Sequence, residues 1–276
     1  MINNSSGQKQ NPIVLVLQNF IQIVNLQTIA VTVGAISCTA FCIHFDIRAD
    51  FPLTLVATAI VFPIVFSINS AYKRREIALR EYAGLKSHGK AIYFITRDCL
   101  ESPSQETLEH ARAEIVQLLS ACRNLFIGNH HELRQNEEAV YRQFSRLSRF
   151  VRNDLRANGL ASGECSRTNQ YLSKMFISFE NMKHVFQYRT PRSLRLFSQI
   201  FVSLLPVIYG PYFAHKATEY TVGLGYVMPI LFSVVLVSLS NIQEHLENPF
   251  DQVGEDDISI NTEQFFDRMY EPDPDQ

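Results

Sequence analysis

The second long apolar stretch of the chain carries a hydroxyl and two aromatic rings at intervals of four residues. Thr58, Phe62 and Phe66 follow one another at this spacing, and Ser70 continues the series. Residues four apart share one face of an α-helix, so these side chains would form a narrow row with a hydroxyl at each end. Such a row can line a constriction for small ions, although phenylalanines at this spacing more often pack in a core.

The same stretch contains a proline and ends in a run of basic residues. Pro63 has no amide proton, so it leaves the carbonyl of Ala59 without its helical partner and loosens the helix beside the two rings. Within a membrane, neighbouring helices can satisfy such a carbonyl. The run Lys73-Arg74-Arg75 then stops the apolar stretch abruptly.

Other residues that could carry chemistry form weaker patterns. A series of arginines at helical spacing could line a path for anions or form an ordinary solvated face; it comprises Arg142, Arg146, Arg149, Arg152 and Arg156. His130 and His131 point roughly 100° apart on a helix, which does not suit a pair of metal ligands. Five cysteines lack the spacing of a zinc site or a disulfide framework.

No sequence motif of an enzyme is present. The chain has no Walker loop, no G-x-S-x-G elbow and no H-E-x-x-H motif. The glycines of residues 223–228 lack the third glycine of a dinucleotide fingerprint. We therefore expect a protein that is not an enzyme and that needs no catalytic cofactor.

The distribution of charge indicates which elements position these residues. Although 19% of the residues are charged, four stretches contain no Asp, Glu, Lys or Arg; they are 10–45, 51–72, 196–215 and 220–243. A helix needs roughly 20 apolar residues to cross a bilayer core of about 30 Å. We place membrane spans near Thr28–Phe45, Phe51–Asn69, Leu196–Ala214 and Thr221–Gln243. The alternative is a set of buried core helices in a large soluble protein.

Basic residues beside the spans predict their orientation. Lys73, Arg74 and Arg75 follow the second span, and further arginines precede the third, so the positive-inside rule places the middle segment in the cytoplasm. The expected organisation is an N-terminal cytoplasmic or interfacial segment (1–27), spans one and two (28–69), a cytoplasmic helical region (70–195), spans three and four (196–243) and a cytoplasmic tail (244–276). No signal or transit peptide is evident. We therefore expect the plasma membrane as the default location, with an internal membrane as the alternative.

The middle region and the tail carry opposite charge. Amphipathic patterns predict helices over about 109–128, 132–157 and 168–188, with Gly128 and Gly159 as terminators. Residues 70–195 contain 21 Lys and Arg against 13 Asp and Glu, whereas residues 244–276 hold eleven acidic residues and one arginine. The sequence therefore predicts an all-α protein with a basic helical bundle and a partly disordered acidic tail.

Two short motifs resemble those of the bestrophin family. Residues Phe66–Arg74, FSINSAYKR, resemble the family's second-helix signature, F-R-x-N-x-A-Y-x-R, through Asn69, Ser70, Ala71, Tyr72 and Arg74. The end of the fourth span, HLENPFDQVGEDDISIN, resembles the family's N-P-F segment with a following acidic cluster, through Asn248, Pro249, Phe250, Asp256 and Asp257. The order of the motifs and the lengths between them also agree over nearly the whole chain.

The resemblance implies a four-span, homo-pentameric ion channel, most often anion-selective, whose second helix lines a central pore. It places a hydrophobic neck at Thr58, Phe62 and Phe66, with Thr58 replacing the usual aliphatic residue and leaving the outermost ring more polar. Ser67 replaces the arginine of the signature. The expected partners are chloride or other small anions, further copies of the chain and the lipid bilayer, and no nucleic acid.

The resemblance also raises the question of a calcium site. In calcium-regulated members the segment after N-P-F supplies oxygen ligands, which here would be Asp256 and Asp257. Three residues, 251–253, interrupt the acidic run, so the spacing is closer to the calcium-independent plant and microbial members. A cation-conducting relative and a non-conducting membrane scaffold remain as alternative functions.

Overall fold

The computed structural model describes residues 25–128, 130–188, 192–219, 221–250, 258–262 and 265. These residues contain α-helices and no strand, which confirms the predicted all-α class for the described part of the chain. The helices are α1 (Leu26–His44), α2 (Leu53–Asp98), α3 (Gln105–Ile127), α4 (Leu133–Arg149), α5 (Ser162–Gln187), α6 (Arg192–Ile208), α7 (Gly210–Glu219) and α8 (Val222–Glu247). A 3₁₀ turn, His130–Glu132, precedes α4, and a π-helical turn, Phe150–Leu155, follows it.

Capping residues explain several of the helix ends. The Oδ1 atom of Asn25 accepts a hydrogen bond from the amide of Thr28 at 3.0 Å, which satisfies a free donor in the first turn of α1. Gly128 follows the last residue of α3, and its amide donates to the carbonyl of Asn124. Gly159 has φ +86°, a conformation that glycine adopts without strain, and it lies just beyond the helical stretch. Both glycines terminate helices as predicted.

Three segments are long and apolar enough to cross a membrane, judged by length and composition among the described residues. They are Leu26–His44, Arg195–Glu219 and Gly223–Glu247, and they cover three of the four expected spans. The expected second span, Phe51–Asn69, begins two residues before α2 and covers only its first part, and the helix continues unbroken to Asp98. The third expected span comprises most of α6 and the first part of α7, with a one-residue turn at Tyr209 between them.

The chain divides into two compact units. Unit one comprises Met1–Ala71 and Thr190–Leu246, and unit two comprises Tyr72–Arg189 and Glu247–Gln276. The buried core of unit one joins α1, the first part of α2, α6, α7 and α8; its members are Val31, Ile60, Ile64, Val202, Leu205, Tyr209, Phe213, Leu236 and Val237. Close packing of these apolar side chains holds the helices of this unit together.

Small and polar side chains allow close contact between the helices of unit one. A Cβ atom on Gly225 would lie 2.3 Å from the Cβ of Ala217, so α8 approaches α7 more closely than any side chain would permit. The Thr32 and Ser233 hydroxyls lie 2.9 Å apart, which links α1 to α8 by a hydrogen bond. The Nδ2 atom of Asn25 also donates to Oδ1 of Asn241 at 3.1 Å.

Unit two is built around a large apolar core. Residues from α2, α3, α4, α5 and the π-helical turn contribute to this core, with Leu85, Ile115, Leu147 and Phe179 among the fully buried side chains. The tail contributes as well, because Ile258, Ile260 and Phe265 are buried in the same cluster. The tail is therefore anchored in part by apolar packing, which its acidic composition does not reveal.

Candidate functional site

The row of residues at four-residue spacing lies on an exposed face of α2. The side chains of Phe62 and Phe66 are 61% and 55% exposed, and Thr58 and Ser70 are exposed as well. Ile64, on the opposite face, is completely buried in the core of unit one. Core packing within the chain therefore does not explain the spacing of the two phenylalanines.

The two phenylalanine rings contact each other while more than half of each side chain stays exposed. Their centroids lie 4.7 Å apart and their planes meet at 85°, so one ring turns its edge toward the face of the other. An aromatic edge carries partial positive charge and a face carries partial negative charge. A ring of such side chains can exclude water and can offer its edges to an anion.

Thr58 is less polar in this position than its residue type suggests. Its hydroxyl donates a hydrogen bond to the carbonyl oxygen of Thr54 at 2.6 Å, one helical turn earlier. The hydroxyl proton is thus already used within the helix, and only the lone pairs of the oxygen and the methyl group remain for other contacts. The expected increase in polarity at this end of the row is therefore limited to a hydrogen-bond acceptor.

The exposed faces of α6 and α8 have a different composition. On α8 the exposed residues from 223 to 235 are all apolar, and Leu231 and Val235 are more than half exposed. On α6 the exposed side chains include Leu196, Ile200 and Leu204. Continuous apolar exposure of this kind suits contact with lipid, whereas the exposed face of α2 has polar groups at both ends, Thr58 on one side of the rings and Asn69 and Ser70 on the other.

The residues of the second-helix signature divide between exposed and buried positions. Asn69, Ser70 and Tyr72 are exposed, whereas Ala71 is completely buried. Ser67, at the place of the signature's arginine, is also completely buried, and its hydroxyl has no hydrogen-bond partner among the described residues. An arginine at this position would have to extend into a site that the chain has filled.

The remaining signature residue and the C-terminal motif meet at one place in unit two. Arg74 donates a hydrogen bond from Nη2 to the carbonyl oxygen of Val185 at 2.6 Å, in the last turn of α5. Phe250 is completely buried, stacks on Phe126 at 4.8 Å between centroids and contacts Phe186 edge-on at 6.2 Å. Both motifs therefore hold the end of α5 through consecutive residues.

The rest of the C-terminal motif is described only up to its aromatic residue. Asn248 is buried, and the carbonyl of Pro249 accepts a hydrogen bond from the amide of Ile258 at 2.8 Å. Asp256 and Asp257, the candidate calcium ligands, lie outside the described residues. No group of three or more His, Cys, Asp and Glu side chains in the described part of the chain is arranged to hold a metal ion.

The other sequence patterns do not assemble into a site. All five arginines of the series from Arg142 to Arg156 are exposed, and Arg142 pairs with Glu138 at 3.7 Å. The π-helical turn Phe150–Leu155 interrupts the series, because its wider turn changes the angle between successive residues. The five cysteines are free thiols.

Known proteins match this chain by structure and not by sequence. No protein-family model matches the chain. No curated protein matches its sequence either.

Solved structures with the same architecture include a bacterial bestrophin homologue from Klebsiella pneumoniae. Its TM-score is 0.72 at 14% identity, over 90% of this chain and 97% of that one. A point variant of a bacterial bestrophin homologue from the same organism gives the same TM-score and identity over 85% and 94% of the two chains. A structure described as a membrane protein gives 0.74 at 13% identity over 90% and 98%. The resemblance read from the two motifs is thus confirmed at the level of the fold: the chain has the fold of the bacterial bestrophin homologues.

Proposed function

We propose that the chain is one subunit of a membrane channel that passively conducts chloride or similar small anions. In this proposal five copies surround a central pore, each crosses the membrane four times, and α2 lines the pore with Thr58, Phe62 and Phe66 as its narrow neck. The channel lies in the plasma membrane by default and carries out no catalysis.

One observation carries the proposal: Phe62 and Phe66 are exposed on the face of α2 opposite to the buried core. Large aromatic side chains are normally covered, and more than half of each of these two is exposed. Symmetric copies around an axis would bring the same face of each α2 together and surround the rings with one another. A constriction of this kind closes to ions when it loses its water.

Two features support anions over cations. The exposed phenylalanine rings of the proposed neck can offer partially positive edges to an anion. Residues 70–195, expected on the cytoplasmic side, have an excess of eight positive charges over negative charges. A basic vestibule raises the local concentration of anions at the entrance of a pore.

Reconstitution into liposomes tests the neck. Removing an aromatic ring widens the constriction, so we expect Phe62→Ala and Phe66→Ala to increase chloride flux relative to the wild type. The matched control is the exposed pair Phe197 and Phe201 on α6, whose centroids lie 4.4 Å apart and whose exposure is 38% each. Alanine at either control position should leave the flux unchanged. Equal flux in all four variants and the wild type would show that the neck lies elsewhere.

Ion selectivity and assembly are measured separately. With unequal sodium chloride on the two sides of a planar bilayer, the reversal potential should move toward the equilibrium potential of chloride. A shift toward that of sodium would identify a cation channel. Native mass spectrometry of the purified protein should give the mass of five copies. An assembled protein that carries no current under any condition would favour the scaffold function.

A further inference from the structure

Unit two contains an open cavity between α2 and the end of α5. Its volume is about 410 Å³, and the side chains that line it include Arg74, Ile77, Arg80, Glu81, His184 and Tyr188. We propose that this cavity binds the phosphate-bearing headgroup of an anionic phospholipid. The chemistry of its walls, its position along the chain and its apolar part support this assignment.

The charge in the cavity suits a single phosphodiester. Among the residues that line the cavity, two guanidinium groups, of Arg74 and Arg80, outnumber the single carboxylate, of Glu81. Glu81 lies 3.5 Å from Arg80, and its side chain is only 16% exposed, which leaves the more exposed guanidinium partly available to a ligand. Planar guanidinium groups bind phosphate oxygens through paired hydrogen bonds.

The hydrogen bond between Arg74 and Val185 fixes one wall of the cavity. Because Nη2 of Arg74 is held on the end of α5, the guanidinium does not have to be ordered when a ligand binds. Arg80 pairs with Glu81 but is 73% exposed, so its guanidinium can reach a headgroup from the solvent side. The site therefore combines one cation held by the backbone and one exposed to solvent.

The position of the cavity along the chain favours lipid over free phosphate, a step that rests on the membrane topology proposed above. Arg74 follows the expected end of the second span at Asn69 by five residues, and Tyr188 precedes the expected third span at Leu196 by eight. Tyrosine is enriched at the interface of membranes, and basic pockets beside spans attract anionic headgroups.

The apolar part of the cavity favours a lipid over inorganic phosphate. Ile77 is 37% exposed and Tyr188 is 66% exposed, and both lie beside the charged groups. The glycerol and the first carbons of a lipid can cover these side chains, whereas inorganic phosphate cannot. A lipid therefore satisfies both the charged and the apolar walls.

The experiment uses the full-length protein, purified in an uncharged detergent and titrated with dioctanoylphosphatidylglycerol. Binding is followed by microscale thermophoresis, after the unfolding midpoint of each variant without lipid has been measured. Dioctanoylphosphatidylcholine and inorganic phosphate serve as the comparison ligands. We expect saturable binding of the phosphatidylglycerol and no binding of the phosphatidylcholine in the same range.

Arg80→Gln should weaken the binding of phosphatidylglycerol about fivefold, the factor that corresponds to about 1 kcal/mol for one cation beside a headgroup. The matched control is Arg97→Gln, because Arg97 also lies on α2, also pairs with the next residue, Asp98, and does not line the cavity. It should bind like the wild type.

Equal weakening in both variants, or no binding by the wild type, would overturn the site. Equal affinity for inorganic phosphate would overturn the lipid assignment. Because binding in detergent does not require conduction, a failure of the channel proposal would appear only in the flux measurements.

Discussion

The guanidinium of Arg74 lies on the end of α5, where it donates a hydrogen bond to the carbonyl oxygen of Val185 at 2.6 Å. The last carbonyls of a helix have no partner within the helix and carry partial negative charge, so a cation at this place is favourable. Phe186, the next residue, contacts Phe250. One arginine of the second-helix signature and the aromatic residue of the C-terminal motif thus stabilise the same helix end.

We expect Arg74→Ala to lower the free energy of unfolding by about 2 kcal/mol, because it removes a charge-assisted hydrogen bond and leaves a helix carbonyl unpaired. Urea unfolding of the purified protein in detergent measures this change. The control is Arg134→Ala, whose side chain is 92% exposed and pairs with Glu138 on the surface. Such a pair contributes at most about 1 kcal/mol. Equal losses in the two variants would contradict a stabilising role for Arg74.

Phe250 should make an even larger contribution to stability. It is completely buried and stacks on Phe126 with an angle of 17° between the ring planes. Phe250→Ala should cost about 3–5 kcal/mol, because it leaves a cavity, whereas Phe250→Leu keeps most of the volume and should cost about 1 kcal/mol. Thermal unfolding monitored by circular dichroism compares the two. If alanine were tolerated as well as leucine, the stacked pair would not be part of the stable core.

The partners of Arg74 and Phe250 show what the sequence can and cannot predict. The helical spacing correctly places Phe126 and Phe186 on the inward faces of α3 and α5, because amphipathic periodicity reports which residues avoid water. It does not identify their contact with Phe250, which is distant in sequence. The partner of Arg74 is a backbone carbonyl. Every residue has such a group, so no residue type in the sequence indicates this contact.

The length of α2 could not be read from charge. Lys73-Arg74-Arg75 marks the expected end of a membrane span, and the helix itself continues to Asp98. Lysine and arginine are good helix formers, so a basic run marks a change of environment and not the end of a helix. Likewise, the spacing of Phe62 and Phe66 defines a shared face, but only the fold shows that this face is the exposed one.

Two glycines of α8 provide a matched pair of substitutions. We expect Gly225→Ala to destabilise the protein by about 2 kcal/mol, because the new methyl group would collide with Ala217 and push α7 and α8 apart. Gly223→Ala meets no atom within 4 Å and should be neutral or stabilising by up to about 1 kcal/mol, since alanine favours the helix. The unfolding midpoint in detergent measures both. Similar midpoints would show that the two helices do not approach at Gly225.

Lys183 connects α4 and α5 through a charged cluster in unit two. Its Nζ lies 2.8 Å from Oε2 of Glu180 and 3.1 Å from Oε1 of Glu137, and it also donates to the hydroxyl of Tyr141. Burial alone would lower the pKa of Lys183, but hydrogen bonds to Glu180, Tyr141 and Glu137 outweigh it and raise the pKa above its ordinary 10.5. A raised pKa means that the charged form stabilises the folded state.

The stabilisation by Lys183 should therefore be fully present below pH 10.5 and be lost as the pH rises through its higher pKa in the folded state. Lys183→Met should be less stable than the wild type by about 2 kcal/mol at pH 8, because two carboxylates lose their partner. The difference should shrink at pH 11 and above. Lys174→Met, an exposed position on the same helix, is the control. A difference that stays constant with pH would contradict the assigned charge state of Lys183.

The hydroxyl of Thr58 offers the finest test of the proposed neck. Because its proton is donated to the carbonyl of Thr54 over 2.6 Å, it cannot be donated to a passing anion, and valine has nearly the same shape. We expect Thr58→Val to change single-channel chloride conductance by less than about twofold, since the loss is confined to an acceptor that does not attract anions. Phe66→Ala in the same bilayer serves as the positive control for a residue that sets the constriction. A tenfold fall in conductance for Thr58→Val, with an unchanged unfolding midpoint, would show that the hydroxyl turns from Thr54 toward the ion during conduction.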